Sequence, residues 1–184
     1  MRLLAFAASL RQGSFNRKLL SSAVDIARDK GVEVDHADFH EFDMPLYDFD
    51  IQERDGFPPG TQRMAQRISA ADGLLIASPE YNYSLPGTIK NAIDWVSRLK
   101  PMPLRGKHGF LMSASNGQVA GIRGLWQLRI PLEGLGVLLH PDMYTLPWAD
   151  KAFDEQGKLK EQERHDRLRQ MLGGYLEMAA KLSR

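Results

Sequence analysis

Ser9, Arg11, Ser14 and Asn16 crowd into one short stretch, Ala8-Ser9-Leu10-Arg11-Gln12-Gly13-Ser14-Phe15-Asn16. Two hydroxyls, an amide and a guanidinium ahead of a helical pattern are the groups that bind an anion. Orphan N–H groups and the positive end of the helix dipole would converge there. The stretch lacks the Gly-Lys-Ser/Thr of a nucleotide-hydrolysing P-loop. It also lacks the Gly-x-Gly-x-x-Gly turn that seats a dinucleotide. An ordinary polar turn with a helix cap is the competing reading.

The second stretch is Ser78-Pro79-Glu80-Tyr81-Asn82-Tyr83-Ser84-Leu85-Pro86-Gly87. Backbone groups from Pro79 to Asn82 can read the donor and acceptor edge of an isoalloxazine, and tyrosine rings can cover flat surface. The alternative is that Tyr81 and Tyr83 only pack beside the sheet. A third polar loop, Ser113 to Gln118, follows a later apolar run. Together the stretches suggest a phosphorylated, ring-bearing cofactor.

Positioning these loops requires a sheet. Leu3 to Ala8 and Leu74 to Ala77 read as buried strands, and each hands over to one of the loops. Met1 to Ser9 superficially resembles a leader, but its apolar part runs straight into the anion loop and is read as strand one. Apolar spacing predicts a helix over 16–30 with Gly31 as its stop, a strand over 32–39, and a helix bearing Met64, Ile68 and Ala71 with Thr61 as its cap. Between them, 43–60 holds three prolines and two glycines and reads as a long functional loop, a lid or a subunit contact.

Further strands are expected at 73–77, 109–113 and 137–139, the last with an extension toward Tyr144. Pro86 suits the first turn of a helix carrying Ile89, Ala92, Ile93 and Val96. A helix starting near Ala120 meets Pro131, which should kink or end it. A closing helix is expected over 159–182, weakened by Gly173-Gly174. Five strands alternating with five helices define an α/β fold, a doubly wound parallel sheet of flavodoxin type in the order 2-1-3-4-5.

Composition narrows the chemistry. The 184 residues suit one domain, and with no cysteine any redox function needs a bound cofactor. Twenty-four Lys and Arg against 23 Asp and Glu give a net charge of +1 with mixed signs, which argues against nucleic acid. No apolar run reaches the length of a membrane span, so a cytoplasmic location is expected. The five histidines form no metal-ligand pattern, and the aspartates at 43, 48, 50 and 55 lack calcium-loop spacing.

The loop motifs, together with Leu85-Pro86-Gly87 and Lys90-Asn91-Ala92-Ile93-Asp94-Trp95, make the chain resemble the NADPH-dependent FMN reductase family, in its quinone and chromate reductase branch. The resemblance implies a flavodoxin-like fold holding FMN noncovalently. Ser9, Arg11, Ser14 and Asn16, with Phe15 beside them, would lie at the phosphate. Pro79, Glu80, Tyr81 and Asn82 would lie at the ring, and Ser115, Asn116 and Gly117 would close its other side.

Asn91, Asp94 and Trp95 match the family too and are expected to be structural. The implied activity transfers two electrons from NADPH or NADH to a small acceptor such as a quinone, with no catalytic side chain required. A homodimer or homotetramer is expected, with Pro131 altering a helix that helps form the contact in relatives. An electron carrier of flavodoxin type and a flavin-binding regulatory module are the rival readings. The near-neutral charge argues against the carrier.

Overall fold

Residues 1–182 are described in a computed structural model. Strand β1 (Arg2–Ala7) lies inside a parallel sheet ordered β2-β1-β3-β4-β5. Its neighbours are β2 (Glu33–Ala37) and β3 (Gly73–Ala77), and β4 (His108–Ala114) follows β3. The predicted order and class are those found.

Because side chains alternate across a strand, β1 feeds two cores. Leu3, Ala5 and Ala7 pack under α1 (Phe15–Asp29) and α7 (Gln162–Leu182). Leu4 and Phe6 pack under α3 (Pro59–Ala70), α4 (Gly87–Val96) and α5 (Ile122–Gly134). Burial on both faces explains the unbroken apolar runs of β1 and β3.

The departures from the sequence reading have local causes. The second strand stops at Ala37, because Asp38 starts a short 3-10 turn (Phe39–Phe42) through a reciprocal capping box with Glu41. The 43–60 segment is not structureless. Asp48 accepts from the Asp50 N–H and caps α2 (Phe49–Asp55). Helix α3 begins at Pro59, where a fixed φ suits the first helical position, so Thr61 lies within its first turn and does not cap it.

The rest of that segment is clipped to α4. Asn91 accepts from the Tyr47 N–H at 2.8 Å and donates to the Pro45 carbonyl at 2.9 Å, and Trp95 Nε1 donates to the same carbonyl at 2.8 Å. Lys90 pairs with Asp94 at 2.7 Å one turn on. The three family-matching residues of α4 thus do structural work, as expected.

Helix α5 starts at Ile122, because Ala120 and Gly121 both have positive φ. It passes Pro131 and closes a turn later, with the Leu135 N–H bonding the Pro131 carbonyl. The proline withholds one donor, from the Gln127 carbonyl, and the helix nonetheless continues to Gly134. Strand five and its proposed extension are two strands, β5 (Leu138–Leu139) and β6 (Tyr144–Leu146). They pair in series along β4, the first at His108–Gly109 and the second at Met112–Ala114. Pro141 lies in the break between them. After β6 comes the short α6 (Ala149–Ala152), and α7 begins three residues later than expected, since Leu159 instead bridges Phe153.

At the far end of the sheet His108 is buried with Nδ1 2.8 Å from the Tyr175 hydroxyl. Burial lowers its pKa from the ordinary 6.5. The unfolded chain therefore binds a proton more readily than the fold, and stability is lost as pH falls from about 6.5 toward the lowered value. Urea midpoints should drop between about pH 7.5 and 5.5, and His108→Gln should flatten that drop. An equal drop in both proteins would assign the acid sensitivity elsewhere.

Candidate functional site

Three loops leave the carboxyl ends of β1, β3 and β4, where open α/β sheets bind ligands. At the first, the Ala8 N–H still bonds the Ala77 carbonyl at 2.8 Å, and the chain turns until Ser14 stands at the N-cap position of α1. The Ser14 side chain makes no capping bond, and no acid occupies the first turn of α1. Ser9 and Ser14 are buried while Arg11 is exposed, its guanidinium 5.3 Å over the Phe15 ring. Among the described residues no carboxylate pairs with Arg11. Free helix N–H groups, two hydroxyls and an unpaired guanidinium form a donor set complementary to a phosphate.

Asn16 behaves differently. Its Nδ2 donates to the Ala114 carbonyl and its Oδ1 accepts from the Ala114 N–H, both at 3.0 Å. One N–H and the oxygen of the amide are committed to the backbone, so Asn16 positions the loop and has one N–H left to offer the cleft that it lines.

The second loop is a two-residue hairpin. Tyr81 and Ser84 exchange backbone hydrogen bonds of 3.0 and 3.1 Å, and Asn82 (φ 48°) and Tyr83 (φ 68°) occupy the turn. Two positive φ values are what such a turn demands. Asparagine tolerates this well, whereas a tyrosine there is strained.

Glu80 holds the hairpin in place. Its carboxylate receives Arg123 Nη2 at 2.6 Å and the Gly124 N–H at 3.1 Å, so it caps α5 from outside. Arg123 in turn lies 4.4 Å over the Tyr83 ring. A Cβ on Gly124 would stand 3.0 Å from the Glu80 Cα, and only glycine lets the helix approach this closely. Glu80 thus serves the scaffold of the loop.

The third loop is tied to β6 and α6. Ser115 exchanges backbone bonds with Leu146 and Ala149, and Asn116 Oδ1 accepts from the Asp150 N–H at 3.1 Å. Beneath it, the buried Ser113 hydroxyl has no partner among the described residues and packs against Gly121.

The loops meet around a cleft of about 260 Å³. Ser9, Arg11, Ser14, Phe15 and Asn16 form one wall. Pro79, Glu80 and Tyr81 form another, and Ser115 and Asn116 a third. Asn82 and Gly117 are exposed and lie outside the lining. Sequence reasoning missed Ala114, which lines the cleft, and Arg123, which acts 43 positions from its partner Glu80 with no local spacing to reveal it. Among the described residues no group of acids and histidines could hold a metal ion.

A parallel sheet in the order β2-β1-β3-β4-β5 with a donor-rich cleft at its strand ends is the flavodoxin-like fold. Residues 1–149 match the model of the NADPH-dependent FMN reductases, and the chain belongs to that family. It is 38% identical over 174 residues to an NAD(P)H-dependent FMN reductase of Pseudomonas aeruginosa, covering 94% of this chain and 91% of that one. A quinone reductase of Escherichia coli is 43% identical over 129 residues, 70% of this chain and 68% of that protein. Among solved structures, the flavoenzyme NAD(P)H:(acceptor) oxidoreductase of Paracoccus denitrificans superposes with a TM-score of 0.85 at 26% identity, covering 98% and 97% of the two chains.

If Glu80 anchors the hairpin, Glu80→Ala removes a helix cap and a charged hydrogen bond together and should destabilise the fold by about 1–3 kcal/mol in urea unfolding. Arg123→Ala should cost less than half of that, since the arginine is substantially exposed. Equal effects would mean that the ion pair, not the α5 cap, carries the contribution.

Proposed function

We propose that the chain is an FMN-dependent NAD(P)H oxidoreductase that delivers two electrons to a small acceptor, a quinone foremost. The observation that carries the reading is the donor set at the start of α1, unpaired by any acid and open to the cleft, in a chain of this family. Bound FMN supplies the redox chemistry, taking a hydride from the nicotinamide and passing electrons on. The protein's part is binding and orientation. In this reading the α1 N–H groups, Ser9, Ser14 and Arg11 hold the phosphate, while Pro79 to Tyr81 and Ser115 to Asn116 flank the ring. Asn82 and Gly117 shape the turns on either side.

No side chain is assigned as an obligate acid or base, because flavin nitrogens exchange protons with water in an open cleft. The net charge of +1 lacks the acidic docking surface of an electron carrier. A cytoplasmic location belongs to the same reading. Among the described residues no helix is long and apolar enough to cross a membrane.

The same reading includes a homo-oligomer. Tyr83 is 70% exposed, and on α5 Trp126 (54%) and Ile130 (64%) stand one turn apart on an outward face. Leu46 is exposed too (81%), whereas Phe42 is buried in the core. Pairing by a two-fold would cover such residues. Light scattering at micromolar concentration should report at least twice the 20.8 kDa chain mass, and a fully active monomer would remove the oligomer from the account.

Arg11→Ala should weaken FMN binding by roughly 10- to 150-fold, the equivalent of a charge-assisted hydrogen bond of about 1.5 to 3 kcal/mol, and leave riboflavin affinity nearly unchanged. Calorimetric titration of both ligands measures this directly. Equal losses for FMN and riboflavin would place the phosphate elsewhere.

A further inference from the structure

A second and larger cleft, about 350 Å³, opens on the other side of the first loop. Leu10 lines it, whereas Ser9 and Arg11 line the first cleft. Consecutive residues of one loop therefore line both. Phe39, Phe42, Met44 and Leu10 give the second cleft an apolar floor, with two aromatic rings set edge-to-face at 6.0 Å. Its volume falls in the range of small-molecule sites.

The rim is selective. Asn91 lines the cleft, but its amide is occupied by Pro45 and Tyr47. His40 Nδ1 lies 2.9 Å from the Asp38 carboxylate, which leaves Nε2 for a ligand. The Asp43 carboxylate and the Thr88 hydroxyl make no hydrogen bond or ion pair with the described residues. An unpaired carboxylate at the edge of a flat apolar floor accepts hydrogen bonds from an amine-bearing ring. It repels ligands that present only acceptors, such as quinones, and it repels anions such as chromate.

We propose that this cleft binds the adenine of the dinucleotide donor, with the exocyclic amine donating to Asp43 and the ring lying on the apolar floor while the nicotinamide enters the neighbouring cleft. The inference rests on the oxidoreductase reading for its ligand. It adds what that reading lacks, a place for the adenosine half and a reason for preferring a full dinucleotide over a bare nicotinamide.

The test uses the FMN-loaded protein and follows anaerobic flavin bleaching by three donors: NADH, its deaminated hypoxanthine analogue and reduced nicotinamide mononucleotide. NADPH runs as a parallel arm to read any contribution of the 2′-phosphate. For the wild type, the concentration giving half-maximal bleaching rate should be about tenfold higher for the hypoxanthine analogue than for NADH, the loss expected for one hydrogen bond to an exposed carboxylate.

Asp43→Ala should erase that difference. Thr88→Trp, which fills the cleft from an exposed position on α4, should raise the NADH value to that of the mononucleotide and leave the mononucleotide unaffected. Identical values for NADH and the mononucleotide in the wild type would overturn the proposal, as would a Thr88→Trp effect on both. If no donor bleaches the flavin, the oxidoreductase reading fails by itself, and calorimetry with AMP and IMP still decides the cleft. AMP binding stronger than IMP binding and lost in Thr88→Trp supports an adenine site, and no AMP binding overturns it.

Discussion

Asn16 bears the constraint on which the rest of the site depends. Strand β3 pairs with β4 as far as Ala77 and Met112, and the Ser78 N–H still reaches the Met112 carbonyl. Pro79 then turns the chain away, while β4 continues to Ala114. The backbone of Ala114 is buried at that point and has lost its strand partner on this side. The Asn16 amide stands in for the missing peptide, donating to one group and accepting from the other. An unpaired buried N–H or carbonyl there would cost about 1–3 kcal/mol. The same contact fixes the start of α1 against the end of β4, so the first and third loops cannot drift apart.

The second loop is fixed by an independent device. Glu80 reaches across to the first turn of α5, and two glycines permit the approach, Gly121 with φ 82° over Ser113 and Gly124 against the Glu80 backbone. The strained Tyr83 is held at the tip beneath Arg123. Strain of this kind persists only where surrounding structure over-determines it, and here a helix, an ion pair and a cation–π contact all converge. The hairpin presents its backbone rigidly, which is what reading a ring edge requires.

Much of this was legible in the sequence for physical reasons. Strands buried on both faces leave unbroken apolar runs, and Gly73 to Ala77 matches its expected bounds. Positions next to a strand end announce a binding loop whatever their ligand, and ten of the twelve candidate residues line one cleft. What stayed hidden depends on long-range pairing. Asn16 presents the same amide to a reader of sequence whether it faces a ligand or Ala114, 98 positions away. The composition of 43–60 concealed a short helix because Asp48 as a cap outweighs weak periodicity over so few residues. The split between β5 and β6 follows from pairing along a single β4 edge, which no local pattern encodes.

The three loops, held by the Asn16 and Glu80 anchors, are proposed to form one FMN site. Amide hydrogen exchange of the apo protein, with and without saturating FMN, tests it most directly. The account predicts slowed exchange at 9–17, 79–82 and 115–117 together, with little change at the carboxyl end of α7. Protection confined to one of these loops, or centred on another part of the molecule, would contradict it.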